Sequence, residues 1–304
     1  MKTLVIGSRG LIGSAIQRSI CVSKDLFLSG TTVNWNDVSR AQLDLLVILN
    51  EFKDFVGNDR WAVFWTAGKG HLGSTSSSVQ LEEQLFSFVA SSVAAWGRSD
   101  GLITLSSSAG AIWSEAEPGL ISESTKASGM SQYAQSKLRL EATLRELCKE
   151  TGLRGLIARL SSIYGVNQDL QKPQGLISRL CVASIARKPA EIYVPVETTR
   201  NYLYADDAAG MMLNAVEQLA GETGTDGECV LRVFCSRDNH SVATICAAVE
   251  TVTRRKLLLT TKKSTGFVQP LKIKKVLKIK RWRLLVLKKN LSNFNNFLAK
   301  IKLP

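Results

Sequence analysis

A tyrosine and a lysine four residues apart, Tyr133 and Lys137 in SQYAQSKLRLE, form the pair in this sequence best suited to moving a proton. The surrounding apolar spacing is helical, and residues i and i+4 of a helix stack on one face. An ammonium held beside a phenol favours the phenolate and lowers its pKa from about 10 toward neutral pH, so Tyr133 becomes usable as a general acid or base. Alone, Y-x-x-x-K is a weak pattern that also fits a half-buried tyrosine beside a solvated lysine. Upstream lies GLITLSSSAG, a strand-like run that ends in hydroxyls, Ser107 and Ser108 among them.

A second constellation opens the chain. In MKTLVIGSRGLIGSAIQRSI, Gly7, Gly10 and Gly13 follow a short apolar run and introduce an amphipathic one. Where a buried strand turns into a helix, glycine takes positive φ, and the missing Cβ lets backbone N–H groups and the helix N-terminus approach a pyrophosphate. The third glycine lets helix and strand pack closely, and a dinucleotide site is expected here. Sites for NAD usually place an acid at the end of the second strand, about 20 residues after the glycines, to hold a ribose hydroxyl. LFLSGTTVNWND offers none before Asp37, which is late and reads as a helix cap. Arg9, inside the glycine loop, suits a 2′-phosphate; the alternative is a solvated loop residue. NADP is therefore favoured over NAD.

The spacing G-x-x-G-x-x-G, the serine-ended strand and Y-x-x-x-K, in that order, resemble the extended short-chain dehydrogenase/reductase superfamily, the NAD(P)-dependent epimerases, dehydratases and reductases of nucleotide sugars. The loop GSRGLIGSAI is similar to that of GDP-fucose synthase-type reductases. The resemblance implies that Ser108, Tyr133 and Lys137 are catalytic, Tyr133 transferring a proton at a sugar hydroxyl or carbonyl and Lys137 holding the nicotinamide ribose while tuning the tyrosine. It implies cofactor contacts from Gly7, Arg9, Gly10, Leu11, Ile12 and Gly13, from Ala67 and Gly68 at the end of WAVFWTAG, from Ser106, and from Ser162 and Ile163 in RLSSIYG. Ser108, Tyr133 and Arg200 would hold the substrate, Arg200 in TTRNYLYADDAAG gripping its diphosphate through a fork of donors. The alternative for Arg200 is a surface salt bridge with an acid such as Glu197. Asp206 and Asp207 read as N-caps rather than catalytic acids. The family's helix after the fourth strand usually presents an asparagine to the site; EEQLFSFVASSV has none, and Gln84 is the nearest substitute. Dehydration would want an acid beside the serine, which SSSAGAIW lacks, so reduction or epimerisation is expected.

These groups need a rigid scaffold. Apolar runs (KTLVIG, TTVNW, WAVFWTAG, GLITLSSS, GLIARLSSIYG) alternate with helix-period segments (LIGSAIQRSI; DVSRAQLDLLVILNEFKDFVG, capped by Asp37 or Ser39; QLEEQLFSFVASSVAAW; QYAQSKLRLEATLRELCKE). That alternation predicts an α/β fold, a Rossmann-type doubly wound parallel sheet. Beyond Val166 it loosens. The expected division is a cofactor-binding domain over 1–165 and a smaller α+β substrate lobe over 166–304, with strands and helices free to interleave.

Composition narrows the setting. A chain of 304 residues, 45% hydrophobic, suffices for such a core, and its apolar runs fall far short of the roughly 18 residues of a membrane span. The start lacks a secretory apolar stretch, and the six cysteines are scattered without a C-x-x-C pair, so neither a disulfide framework nor a zinc site is expected and a cytoplasmic location is. The net charge of +13 sits in the last segment, where sixteen Lys and Arg follow Glu250 with no acid among them. Their alternation with apolar residues reads as a solvated face. The alternative is a polyanion-binding segment on a non-catalytic protein that senses NAD(P). His71 and His240 lack a second ligand at metal-binding spacing, so no metal is expected. The expected partners are a nucleotide-sugar substrate and a second copy in a homodimer, with neither nucleic acid nor membrane.

Overall fold

The computed structural model describes residues 1–20, 24–68, 70, 76–116, 120–170, 175–222, 227–261, 272–273 and 293. His71 and most of the basic segment lie outside the described residues. The first half runs β1 (Lys2–Ile6), α1 (Leu11–Ile20), β2 (Leu26–Phe27), α2 (Val38–Val56), β3 (Trp61–Trp65), α3 (Ser76–Ala94), β4 (Gly101–Ser108), α4 (Ala109–Ile112), β5 (Leu120–Ile121), α5 (Gln132–Thr151) and β6 (Arg154–Leu160). There follow β7 (Ser162–Tyr164), α6 (Leu176–Ala186), β8 (Ala190–Ile192), β9 (Thr199–Tyr204), α7 (Ala205–Gly221), β10 (Cys229–Phe234), β11 (Asn239–Ser241), α8 (Val242–Thr253), β12 (Leu259–Thr261) and β13 (Lys272–Ile273).

Six strands form one parallel sheet in the order β10-β6-β4-β3-β1-β2. Strands buried on both faces must be apolar at successive positions, and WAVFW is buried throughout. Side-chain alternation divides its payload: Trp61, Val63 and Trp65 enter the core beneath α2, α3 and α5, whereas Ala62 and Phe64 enter the core beneath α1 and α7. The sheet is doubly wound in the Rossmann manner. Strand order reverses between β1 and β3, which is where such sheets open a crevice at their carboxyl ends.

Two strand expectations need correcting. TTVNW is not a strand; the partner of β1 is the two-residue β2, paired Thr3 with Leu26 and Leu4 with Phe27. Side chains take the backbone donors that a ladder would need: Asp44 accepts from Asn34 N at 2.9 Å and Asn34 Oδ1 accepts from Asn36 N at 3.2 Å. Asp37 is the cap of α2, accepting from Arg40 N at 3.0 Å. GLIARLSSIYG divides into β6, in the main sheet, and β7, which joins β9 and β11 in a second sheet.

The chain beyond residue 166 serves both parts. α6, α8 and the short β8 enclose a separate apolar cluster with Tyr164, Tyr202 and Tyr204. α7 and β10, in contrast, return to the main sheet, β10 pairing with β6 over Cys229–Phe234. Asp206, in the first turn of α7, pairs with Arg18 of α1. Asp206 and Asp207 are thus first-turn residues, not N-caps; the cap position is Tyr204, which makes no side-chain cap bond. Among the described residues, no helix is long and apolar enough to cross a membrane.

Candidate functional site

The glycine turn joins β1 to α1 at the sheet's carboxyl edge. Gly7 has φ of 90°, and a Cβ on it would lie 2.4 Å from Ala67 N, so no L-residue with a side chain fits there. A Cβ on Gly13 would meet Gly7 O at 2.3 Å and Thr66 Oγ1 at 2.6 Å. The helix therefore starts hard against the ends of β1 and β3, leaving its N-terminal N–H groups at the crevice. A cavity of about 480 Å³ opens there, lined by Gly7, Arg9, Gly10, Ala67, Gly68 and Glu82 among others. Leu11 and Ile12, also expected at the cofactor, pack their side chains in the core beneath α1, which leaves only their backbone groups to face the crevice.

At the far side of this cavity, near β2, the lining is Ser29, Thr31 and Thr32. Arg9 donates to Thr32 Oγ1 at 3.3 Å. Among the described residues no carboxylate lines that end; the acid in the lining, Glu82, belongs to α3. Gln84, expected to face the site, is exposed. Glu82 instead sits on the inward stripe of α3 with Val79, Phe86 and Val89, a position that the i, i+3, i+4 spacing of those apolar residues makes legible.

Glu82 connects the cavity to the tyrosine and lysine. Its Oε1 accepts from Lys137 Nζ at 2.6 Å, with both side chains buried, and Lys137 also donates to the Ser106 carbonyl at 3.2 Å. The ammonium lies 5.7 Å from the Tyr133 ring centre. Gly70 lies against an edge of that ring, where a Cβ would fall 2.9 Å from Cδ2. Burial raises the Tyr133 pKa above its ordinary value; Lys137 and a hydrogen bond with Ser108 pull it down, while Glu82 pushes it up. The lowering expected from spacing alone is overturned in this state, because burial and a neighbouring carboxylate together outweigh the ammonium. Burial lowers the Lys137 pKa, but Glu82, with Tyr133 and Glu141, more than offsets it, and the net direction is upward.

The serines of β4 separate by strand alternation. Ser108 faces Tyr133 and also caps α4, accepting from Ala111 N at 3.3 Å. Ser107 points to the opposite side and donates to Glu141 Oε1 at 2.6 Å, in a buried group completed by Arg159, whose Nε and Nη2 reach Glu141 at 2.9 and 2.7 Å. Ser106 Oγ is buried and has no hydrogen-bond partner among the described residues.

The remaining candidates lie on the second sheet. Ser162 and Ile163 pair with Tyr202 and Leu203 of β9, the strand that also carries Arg200. Arg200 makes no ion pair with Glu197, and among the described residues its guanidinium has no carboxylate partner. Burial lowers its pKa, partly offset by Tyr202. His240 stands directly opposite Arg200 in β11, half-buried, its own pKa lowered by burial and raised by Asp238.

A parallel, doubly wound sheet with a glycine turn at its topological switch point places the chain among Rossmann-fold proteins. A model of the NAD dependent epimerase/dehydratase family matches residues 3–229, and the chain belongs to that family. Its fold is similar to UDP-glucose 4-epimerase from Thermotoga maritima, solved with UDP-glucose (TM-score 0.80, 19% identity, 99% of each chain covered). It is similar also to UDP-glucose 4-epimerase from Thermus thermophilus, solved with NAD (TM-score 0.80, 16% identity, 99% of this chain and 100% of that one). An NAD-dependent NDP-hexosamine 5,6-dehydratase of tunicamycin biosynthesis superposes with TM-score 0.73 at 14% identity, 99% of this chain and 98% of that one. No curated protein matches the sequence.

Proposed function

We propose that the protein is an NAD(P)-dependent reductase or epimerase of a nucleotide-linked sugar, with Tyr133 as the group that moves a proton. The observation that carries this reading is the convergence of Tyr133, Ser108 and Lys137 beside a glycine-built cavity. The cradle fits a dinucleotide: a Cβ at Gly7 or Gly13 would fill backbone space, and the helix start offers N–H donors to a diphosphate. Gly7, Gly10, Ala67 and Gly68 would hold the cofactor, which supplies or accepts hydride when bound.

This chain's own residues then manage orientation and protons. Ser108 and Tyr133 bond one sugar oxygen; Tyr133 gives that oxygen a proton in reduction, or takes one in oxidation. Arg200, half-buried and without a carboxylate partner among the described residues, is suited to the substrate diphosphate, since an anion there would offset the partial desolvation of its charge. Residues 1–165 carry the cofactor side of this arrangement and residues 166–304 the substrate side, although α7 and β10 pack with the former. NADP is the preferred form, on the strength of Arg9 and the absence of an acid beside β2 among the described residues.

Titration of NADPH and NADH against the purified protein by fluorescence tests the cofactor, repeated with Arg9→Ala. A preference for NADPH that Arg9→Ala removes supports the reading; equal affinities in both proteins reject the NADP assignment. Tyr133→Phe should keep cofactor binding and lose turnover of a nucleotide-linked keto sugar by about two orders of magnitude or more. Full turnover would remove Tyr133 from the mechanism.

A further inference from the structure

We propose that Glu82, through its buried ion pair with Lys137, is a positioning residue that keeps the Tyr133 hydroxyl protonated and so equips the site to give a proton to a ketone rather than to begin by taking one from an alcohol. This rests on the reading of Tyr133 as the proton-transfer group.

Lys137 Nζ donates to Glu82 Oε1 at 2.6 Å and to the Ser106 carbonyl at 3.2 Å, and both partners of the ion pair are nearly excluded from water. An ammonium 5.7 Å from the Tyr133 ring would, unpaired, pull the phenol toward phenolate. Paired with a carboxylate it presents a nearly neutral couple, and a phenolate forming beside that couple would be an added negative charge in a desolvated site.

The other groups around the phenol do not replace the lost pull. Ser108 on β4 offers a neutral hydrogen bond. Glu141, one turn beyond Lys137 on α5, is engaged by Arg159 of β6 and Ser107 of β4. Glu83 and Arg139 pair with each other where α3 and α5 meet at the surface. Gly70, from the segment after β3, covers one edge of the ring and brings no charge. Among the described residues the charge balance at Tyr133 is thus set by Lys137 and Glu82, with burial opposing ionisation.

Position strengthens the point. Glu82 also lines the cavity, and a Cβ on Gly68 would lie 2.6 Å from its Oε2, so the carboxylate fills the space at the end of β3. An enzyme whose first act is to remove a proton from a sugar hydroxyl needs phenolate at its working pH; one that reduces a ketone needs phenol. The ion pair provides the second condition.

The test is a pH titration of the full-length protein without cofactor, followed by the near-ultraviolet absorbance of phenolate, with circular dichroism separating ionisation from unfolding. Tyr133→Phe subtracted from its parent isolates Tyr133 from the other four tyrosines. In Glu82→Gln the Tyr133 midpoint should fall by about one pH unit or more, because the Lys137 ammonium, 5.7 Å from the ring centre, would no longer be neutralised by a carboxylate. Glu82→Asp, which keeps the charge, should stay near the wild-type value. If Glu82→Gln does not fold, Glu82→Asn carries the same readout with a smaller side chain. A midpoint unchanged or raised when the charge is removed, even with a lower melting temperature, overturns the proposal and leaves Glu82 a purely structural residue. A lowered midpoint in a protein whose Tyr133→Phe variant keeps full turnover would uphold the charge relation and sink the proposed function instead.

Discussion

Gly13→Ala is the sharpest perturbation of the cofactor cradle. The added Cβ would stand 2.3 Å from Gly7 O and 2.6 Å from Thr66 Oγ1, against an ordinary contact of about 3.5 Å. Neither neighbour yields easily. Gly7 O is backbone and accepts from Gly10 N at 2.9 Å, and Thr66 Oγ1 is tied to Ile6 O at 2.8 Å. Relief requires α1 to move off the sheet by about 1 Å, at a cost of about 3 kcal/mol, the upper end for overpacking. With about 2.1 cal/mol/K of unfolding entropy per residue, a chain of 304 residues loses roughly 1.6 °C per kcal/mol, so Tm should fall by about 5 °C. Gly10→Ala is the control, because its Cβ meets only Gly7 O, at 3.2 Å. Removing backbone freedom from the unfolded chain offsets that mild contact, and Tm should move by about 1 °C or less. Differential scanning calorimetry of the two variants, with NADPH titration by fluorescence, separates the effects: Gly13→Ala should lose both stability and binding, Gly10→Ala binding alone. A Gly13→Ala protein melting within a degree of wild type would refute the close approach of helix and strand on which the cradle depends.

Two further outcomes follow from buried charge. Arg159→Met leaves Glu141 buried without its guanidinium and should cost about 3–5 kcal/mol in urea unfolding, whereas adding Glu141→Leu should recover most of the loss; additive single effects would contradict the assigned pairing. His240 has its pKa lowered by burial, so the folded state prefers the neutral ring. Its contribution is therefore present above the unfolded value of about 6.5 and is lost as pH falls through the lower folded value. Tm measured from pH 7 to pH 5 should decline less steeply in His240→Gln than in wild type, and identical slopes would show that His240 is not the group responsible.

Much of this architecture is legible in the sequence. The boundaries of α1 and β4 follow from their apolar periods and from the glycines around them, since a buried strand and an amphipathic helix each carry a local signature. The family resemblance rests on motifs of the same local kind: a turn that only glycine can make, and two residues one helical turn apart. TTVNW misled for an equally local reason, because β-branched residues suit a strand while the bonds that decide the matter come from Asp44, ten residues along. GLIARLSSIYG reads as one strand, and only the pairing of β7 with β9 shows that the chain leaves the main sheet at Ser161.

Local spacing is enough for the glycine turn and for the adjacency of Tyr133 to Lys137, and the alternation of apolar runs with helix-period segments is enough for a doubly wound frame. Tertiary structure decided which charges meet. Glu82 and Lys137 are 55 positions apart and Glu141 and Arg159 are on different elements, so no local period records their pairing. Arg200 has no carboxylate partner among the described residues, and the pairing of β9 with β11 sets His240 opposite it. The ionisation of the Tyr133 phenol belongs to this second category: spacing supplies the ammonium, but burial and a carboxylate from another helix decide what that ammonium is worth.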